Sequence, residues 1–201
     1  MNVLNIRFII IGDSCVGKSC LINKYIKNEF KPTFHSTVGI DLKIKEIKIK
    51  GFKINFHIYD TAGQERFRSL IKNYYKGKDG AFLVFDLNNK ESFDNLSLWL
   101  DEIKEKGNKN MKLIILGNKN DLKDIRQVTE KEIEEFKNRN GLKVIETSAL
   151  SGEGINEAFE EMFNLITENM NNEDIYQKYC FNYNKKLLLK QNKNKSDLTC
   201  C

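Results

Sequence analysis

No apolar stretch in this sequence comes near the roughly 20 residues that a membrane-spanning helix needs. The run bracketed by Arg7 and Gly12 is also too short for the apolar core of a secretory leader. No C-x-x-C pair occurs among the five cysteines Cys15, Cys20, Cys180, Cys200 and Cys201, and their number is odd. The expectation is a chain made in the reducing cytosol that carries thiols rather than disulfides. No internal repeat of about 20–50 residues is present, which excludes a solenoid or propeller. Nor is there a long basic block. The net charge is +5, but lysines and glutamates are interspersed, which argues against a nucleic-acid partner.

What is present fits a globular protein: 201 residues, 40% hydrophobic and 30% charged. Strand-like apolar runs recur at Ile6–Ile11, Ile54–Ile58, Ala81–Phe85, Leu113–Leu116 and Lys143–Ile145. Between them lie segments of helical spacing, among them Phe93, Leu96, Leu100 and Ile103. Thr129 followed by Glu132 reads as a capping box, and Ile155, Phe159, Met162, Phe163 and Ile166 give a last helix one apolar face. Strands alternating with helices imply parallel strands joined by crossovers, hence a doubly wound α/β sheet. One connection differs. Residues 43–60 place two strand-like runs around a turn at Gly51-Phe52, which predicts a hairpin and one antiparallel edge strand. Leu42 and Ile44 precede Glu46, whereas Ile47 and Ile49 follow it, and this change of phase predicts a bulge. From Asn171 onward the pattern dissolves into Asn, Lys and Gln. The expected organisation is a folded domain over 1–170 and a flexible tail over 171–201, with Cys180 an idle tail thiol.

The chemistry-bearing residues follow the strands. "GDSCVGKSC" fits G-x-x-x-x-G-K-[ST] at Gly12, Gly17, Lys18 and Ser19. Such a loop, here filled by Asp13, Ser14, Cys15 and Val16 and followed by Cys20, curls its backbone N–H groups toward a β-phosphate. Lys18 would reach the β- and γ-phosphates and Ser19 a Mg²⁺ ion, with the helix N-terminus adding its positive end. A phosphate loop does not separate ATP from GTP. "GNKNDL", at the end of the fourth parallel strand, does: Asp121 can accept from guanine N1–H and its exocyclic amine, with Asn118 and Lys119 bracing the loop. In "YDTAGQE", Asp60 can orient Mg²⁺ through water, the Gly63 N–H can sense a γ-phosphate, and Gln64 can position an attacking water. Thr37 can complete the Mg²⁺ shell. "ETSA" offers the backbone of Ser148 and Ala149 to guanine O6, and Phe30 can pack on the base.

With these motifs the chain resembles the small GTPases, and among them the Rab family, over about residues 5–168 and at the final Cys200-Cys201. The Rab-like stretches are "TVGIDLK", "AGQERFRSL", "YYKG" and "LVFDL". The resemblance implies a P-loop NTPase fold with a mostly parallel six-stranded sheet, one antiparallel edge strand and helices on both faces. It implies a GTP/GDP switch that slowly hydrolyses GTP and regulates vesicle traffic, with order near 30–43 and 60–76 depending on the γ-phosphate. It also implies geranylgeranyl groups on Cys200 and Cys201, and residence on the cytoplasmic face of an intracellular membrane with a cytosolic GDP-bound pool. The partners it implies are effectors, an exchange factor, a GTPase-activating protein, a GDP-dissociation inhibitor and a prenylation escort protein, with the chain itself a monomer. No arginine stands in place to act in cis, so a partner is expected to supply one.

Three departures stand out. Leu42, Tyr59 and Tyr74 occupy the positions of the family's effector-facing Phe, Trp and Tyr; Leu150 stands for a usual Lys; and Cys15 stands for a common Gly. Three other readings are set against this one: another branch of the Ras superfamily, for which a C-a-a-X ending is missing; a P-loop nucleotide kinase, against which "NKND" speaks; and a non-hydrolysing scaffold, which would normally have lost Gln64, Thr37 or Lys18, all present here.

Overall fold

Strand β1 (Val3–Ile11) sends Leu4, Ile6, Phe8 and Ile10 to one side and Ile9 and Ile11 to the other, all buried. A strand apolar on both faces belongs in the middle of a sheet covered on both sides. In the computed structural model, which describes residues 3–30, 37, 39–63 and 74–180, β1 does lie there, third in the order β2-β3-β1-β4-β5-β6. The others are β2 (Ile40–Ile49), β3 (Phe52–Thr61), β4 (Gly80–Asp86), β5 (Lys112–Asn118) and β6 (Lys143–Glu146). All neighbours pair parallel except β2 with β3. The α/β sheet with one antiparallel edge is therefore as expected.

Helices α1 (Lys18–Lys27) and α5 (Ile155–Thr167) cover one face. There Tyr25 stacks on Phe159 at 3.6 Å, and Phe159 packs on Phe8 and Phe82. The expected apolar face of α5 is buried as a unit. On the other face lie α2 (Lys90–Asp94), α3 (Leu96–Lys106) and α4 (Glu130–Asn140). The Thr129–Glu132 capping box opens α4, and Gly141 ends it at a positive φ.

The structure corrects the sequence reading in three places. The β2–β3 pairing runs unbroken from Ile40↔Thr61 to Ile49↔Phe52, so there is no bulge at Glu46. The change of phase has another cause: Leu42 and Ile44 sit on the exposed face of the edge strand, while Ile47 and Ile49 pack against the core. The inward face near them is filled by Lys45, whose ammonium lies 3.7 Å over the Tyr25 ring, with the apolar stem serving as packing. The turn itself is one residue earlier than expected, at Lys50-Gly51, both at positive φ (49° and 82°), the two-residue type that matches strand twist.

The third correction concerns the boundary at 170. The fold continues through α6 (Asn172–Tyr179), opened by a second capping box between Asn171 and Asp174. Helix α6 buries Ile175, Tyr179 and Cys180 in the same core as β1, and Tyr176 meets Phe52 at the hairpin. Cys180 is thus a buried packing residue, not an idle tail thiol.

Candidate nucleotide-binding site

Parallel strands of a doubly wound sheet end on one edge, and the crevice beyond their carboxyl ends is where ligands bind. Three loops meet there: residues 12–17 after β1, residues 119–122 after β5 and residues 147–154 after β6. The first turns at Gly12 and Gly17, both at positive φ. A Cβ on Gly17 would stand 2.3 Å from Asn118 Nδ2, so glycine is required for the loops to touch. Cys15 also has φ 63°, the left-handed region where glycine is unstrained and a thiol-bearing residue carries a cost of about 1 kcal/mol. Its side chain points to solvent, 3.7 Å from Ser14 Oγ.

Lys18 is buried at the start of α1. Its ammonium donates to the Gly12 and Asp13 carbonyls at 2.8 and 2.6 Å, which leaves one N–H for a further acceptor. Burial holds its pKa down to about 8, opposed by the nearby carboxylates of Asp60 and Asp13. Ser19 Oγ and Thr37 Oγ1 lie 2.8 Å apart. Asp60, near the end of β3, is buried, and its Oδ1 has no hydrogen-bond partner among the described residues. Burial raises its pKa, partly offset by the Ser19 hydroxyl and the Lys18 ammonium. A buried carboxylate oxygen left bare beside two hydroxyls is a donor set of the hard oxygen type that suits Mg²⁺. Gly63 rests against this group: a Cβ there would lie 2.4 Å from Lys18 Nζ and 2.5 Å from the Asp13 carbonyl.

The second half of the site is built around Asn118. Its Nδ2 donates to the Val16 carbonyl at 2.8 Å, and its Oδ1 accepts from the Ala149 N–H at 3.2 Å and Thr147 Oγ1 at 3.4 Å. One side chain therefore ties all three loops. Lys119, held at φ 68°, pairs with Asp86 at 2.6 Å. Ser148 Oγ donates to Asp121 Oδ1 at 2.5 Å and accepts from the Ser151 N–H. Gly17, Cys20, Phe30, Asn118, Lys119, Asp121, Leu122, Ala149 and Leu150 line a cavity of about 320 Å³, partly enclosed and mostly apolar with a carboxylate at its rim. Leu150 is 51% exposed along it, in the position the resemblance gives to a lysine stem.

The structure thus brings together the sequence-predicted residues Gly12–Cys20, Phe30, Thr37, Asp60, Gly63, Asn118, Lys119, Asp121, Ser148 and Ala149. Gln64, Cys200 and Cys201 lie outside the described residues. Leu42 and Tyr59 are register partners across the hairpin, and Tyr74 joins them through Lys78, whose ammonium lies 3.9 Å from the Tyr59 ring and 6.0 Å from that of Tyr74. Lys78 escaped the sequence reading, as did Asp86, because nothing local marks a residue whose partner lies in a distant segment. For Thr147, membership of "ETSA" was a usable signal. Arg126, another omission, holds Glu146 by two hydrogen bonds of 2.9 and 2.6 Å.

The family model described as "Ras family" matches residues 7–168. "Ras-related protein Rab-4" of Dictyostelium discoideum is 44% identical over 154 residues, 77% of this chain and 75% of that protein. "Ras-related protein Rab-8B" of Homo sapiens is 45% identical over 153 residues, 76% of this chain and 74% of its own length.

Proposed function

The chain belongs to the Ras family, as a GTPase of the Rab type, and from that premise we propose how its own residues divide the work of the switch. The guanine base occupies the cavity between Phe30, Lys119 and Leu150. Asp121 accepts from its N1–H and amine, and the N–H groups of Ser148 and Ala149 face O6. The loop from Asp13 to Gly17 turns its N–H groups on the phosphates, and Lys18 donates its remaining proton to them. Ser19 and Thr37, with Asp60 behind them, would hold Mg²⁺, which when bound neutralises charge on the β- and γ-phosphates. Gly63 offers its N–H to the γ-phosphate. Gln64 orients the water whose in-line attack on γ-phosphorus expels GDP, and a partner supplies an arginine that stabilises the charge of the transition state.

Thr37 and Gly63 give the triphosphate two contacts that the diphosphate cannot keep, so the surface carrying Leu42, Tyr59 and Tyr74 reads the bound nucleotide to effectors. Vesicle traffic is the process this output serves. Lipid on Cys200 and Cys201 would hold the chain to an intracellular membrane; no helix among the described residues is long and apolar enough to cross one. An exchange factor, an activating protein, a dissociation inhibitor and a prenylation escort complete the cycle.

The observation that carries this reading is the Asn118 side chain, which fixes the base loop to the phosphate loop across the mouth of one cavity. The test is release of labelled GDP from the loaded chain. Release should be slow with Mg²⁺, fast after chelation, and competed by GTP but not ATP. Release that ignores chelation would remove Ser19, Thr37 and Asp60 from a metal site, and competition by ATP would remove Asp121 from base choice.

A further inference from the structure

Asp13 is the second residue of the phosphate loop, and its carboxylate points away from the cleft into the opposite helical layer. There it accepts from Asn95 Nδ2 at 2.8 Å and from Trp99 Nε1 at 2.7 Å, both short, well-formed contacts to a charged acceptor. Asn95 is the residue between α2 and α3, and Trp99 lies one turn into α3. The helix that presents them is firmly seated: Trp99, Leu100 and Ile103 pack with Ile9, Leu83 and Phe85 of the sheet. Loop and helix are 82 and 86 residues apart in sequence at these two contacts. No sequence motif marks them.

The same Asp13 peptide has a second connection. Its carbonyl is one of the two acceptors that hold the Lys18 ammonium, and the Gly63 backbone sits directly against it. A rotation of the Asp13 peptide therefore moves the ammonium and the seat of Gly63 together. Beside the clamp lies a cavity of about 390 Å³, lined in part by Asp13, Ser14, Gly63, Asn95 and Trp99, so packing alone does not hold the loop on this side. Helix α3 also grips the chain on the far side of residues 64–73, where the Tyr75 hydroxyl donates to Glu102 Oε1 at 2.9 Å.

We infer that Asn95 and Trp99 are positioning residues for GTP binding and hydrolysis. Through the Asp13 carboxylate they fix the Asp13 peptide, and with it the Lys18 ammonium and the backbone of Gly63. This deepens the reading of the cleft as the GTP site and rests on it.

The test uses the full chain loaded with GDP or GTP. Asn95→Asp sets a carboxylate against the Asp13 carboxylate and should speed GDP release and slow single-turnover hydrolysis, each by roughly tenfold, the scale of one charged hydrogen bond. Adding Asp13→Asn to it exchanges the partners: the amide at position 13 can donate to the new carboxylate and still accept from Trp99. This double variant should return both rates to within about threefold of wild type. Trp99→Phe keeps an aromatic side chain but removes the N–H together with the rest of the buried indole; it should lower the melting temperature and speed release severalfold, and it reads the clamp even where Asn95→Asp fails to fold. Trp99 is the single tryptophan, so the emission spectrum of the unaltered chain reports its indole directly and should shift when GDP is exchanged for a non-hydrolysable GTP analogue. Wild-type rates in both single variants, a double variant no better than Asn95→Asp, or an emission spectrum blind to the nucleotide would each overturn the clamp. A wild-type chain that retains no guanine nucleotide would overturn the cleft reading and the clamp with it.

Discussion

Ser148 Oγ donates to Asp121 Oδ1 at 2.5 Å, and this bond decides which way the Asp121 carboxylate faces. With one oxygen engaged, the other is left for a ligand at the cavity rim. Asp121→Asn keeps an acceptor for Ser148 and presents an amide where the carboxylate was. Guanine would then meet a donor where it needs an acceptor, while xanthine, with a carbonyl in place of the amine, would gain a partner. The expected outcome is a loss of GTP affinity of at least about a hundredfold and a reversal in favour of XTP. Competition against labelled GDP checks it. A variant that prefers GTP by the wild-type margin would take Asp121 out of base recognition.

Lys18 gives the site a pH dependence. Its ammonium is held at about 8 in the cleft by burial, well below its ordinary 10.5. Phosphates beside it would raise that value, so binding takes up a proton once the solution pH passes 8. The sign is fixed: affinity is flat below about pH 7.5 and falls above it, to about one tenth at pH 9. Calorimetry of GDP binding in buffers of different ionisation enthalpy would show proton uptake at pH 9 and none at pH 7. Affinity that rises with pH would contradict the assignment.

Helix α6 carries a stability prediction. Ile175 is buried against the β1 side of the core, so Ile175→Ala removes apolar contact and leaves a cavity. Such truncations cost 2–5 kcal/mol, and the lower end, about 2 kcal/mol, suits a short helix that can settle inward. Urea unfolding of the GDP-bound chain measures it. A change below about 0.5 kcal/mol would mean that α6 is not part of the cooperative fold.

The proposed lipid anchor would depend on both Cys200 and Cys201. A single lipid chain binds membranes marginally, whereas two, at about 0.8 kcal/mol per buried CH₂, bind persistently. The full-length chain expressed in eukaryotic cells should sediment with membranes, and the chain with Cys200→Ser and Cys201→Ser should remain in the supernatant. If the double variant pellets with membranes in high salt, the anchor lies elsewhere.

Much of this was legible in the residues. Gly12, Gly17, Lys18 and Ser19 are informative because a phosphate loop needs those types at that spacing, and the structure sets that loop against Asn118, with Gly17 and Asp121 lining one cavity. What failed did so for reasons of context. Leu42 and Ile44 are apolar and exposed, and in a strand read by alternation an exposed apolar pair looks the same as a slipped register. Helix α6 offers few apolar residues among Asn, Glu, Asp and Lys, and only the Asn171–Asp174 capping box marked it. The Asp13–Trp99 contact is a property of the packed chain and of no segment in it.

Hydrolysis tests the reading of the cleft most directly. The chain loaded with GTP and given Mg²⁺ should release its γ-phosphate slowly, close to one per chain. Gln64→Leu should load equally and release at least about tenfold more slowly, because the attacking water has lost the amide that orients it. Phosphate release no faster than GTP in buffer, or an unchanged rate in Gln64→Leu with and without an activating protein, would contradict it.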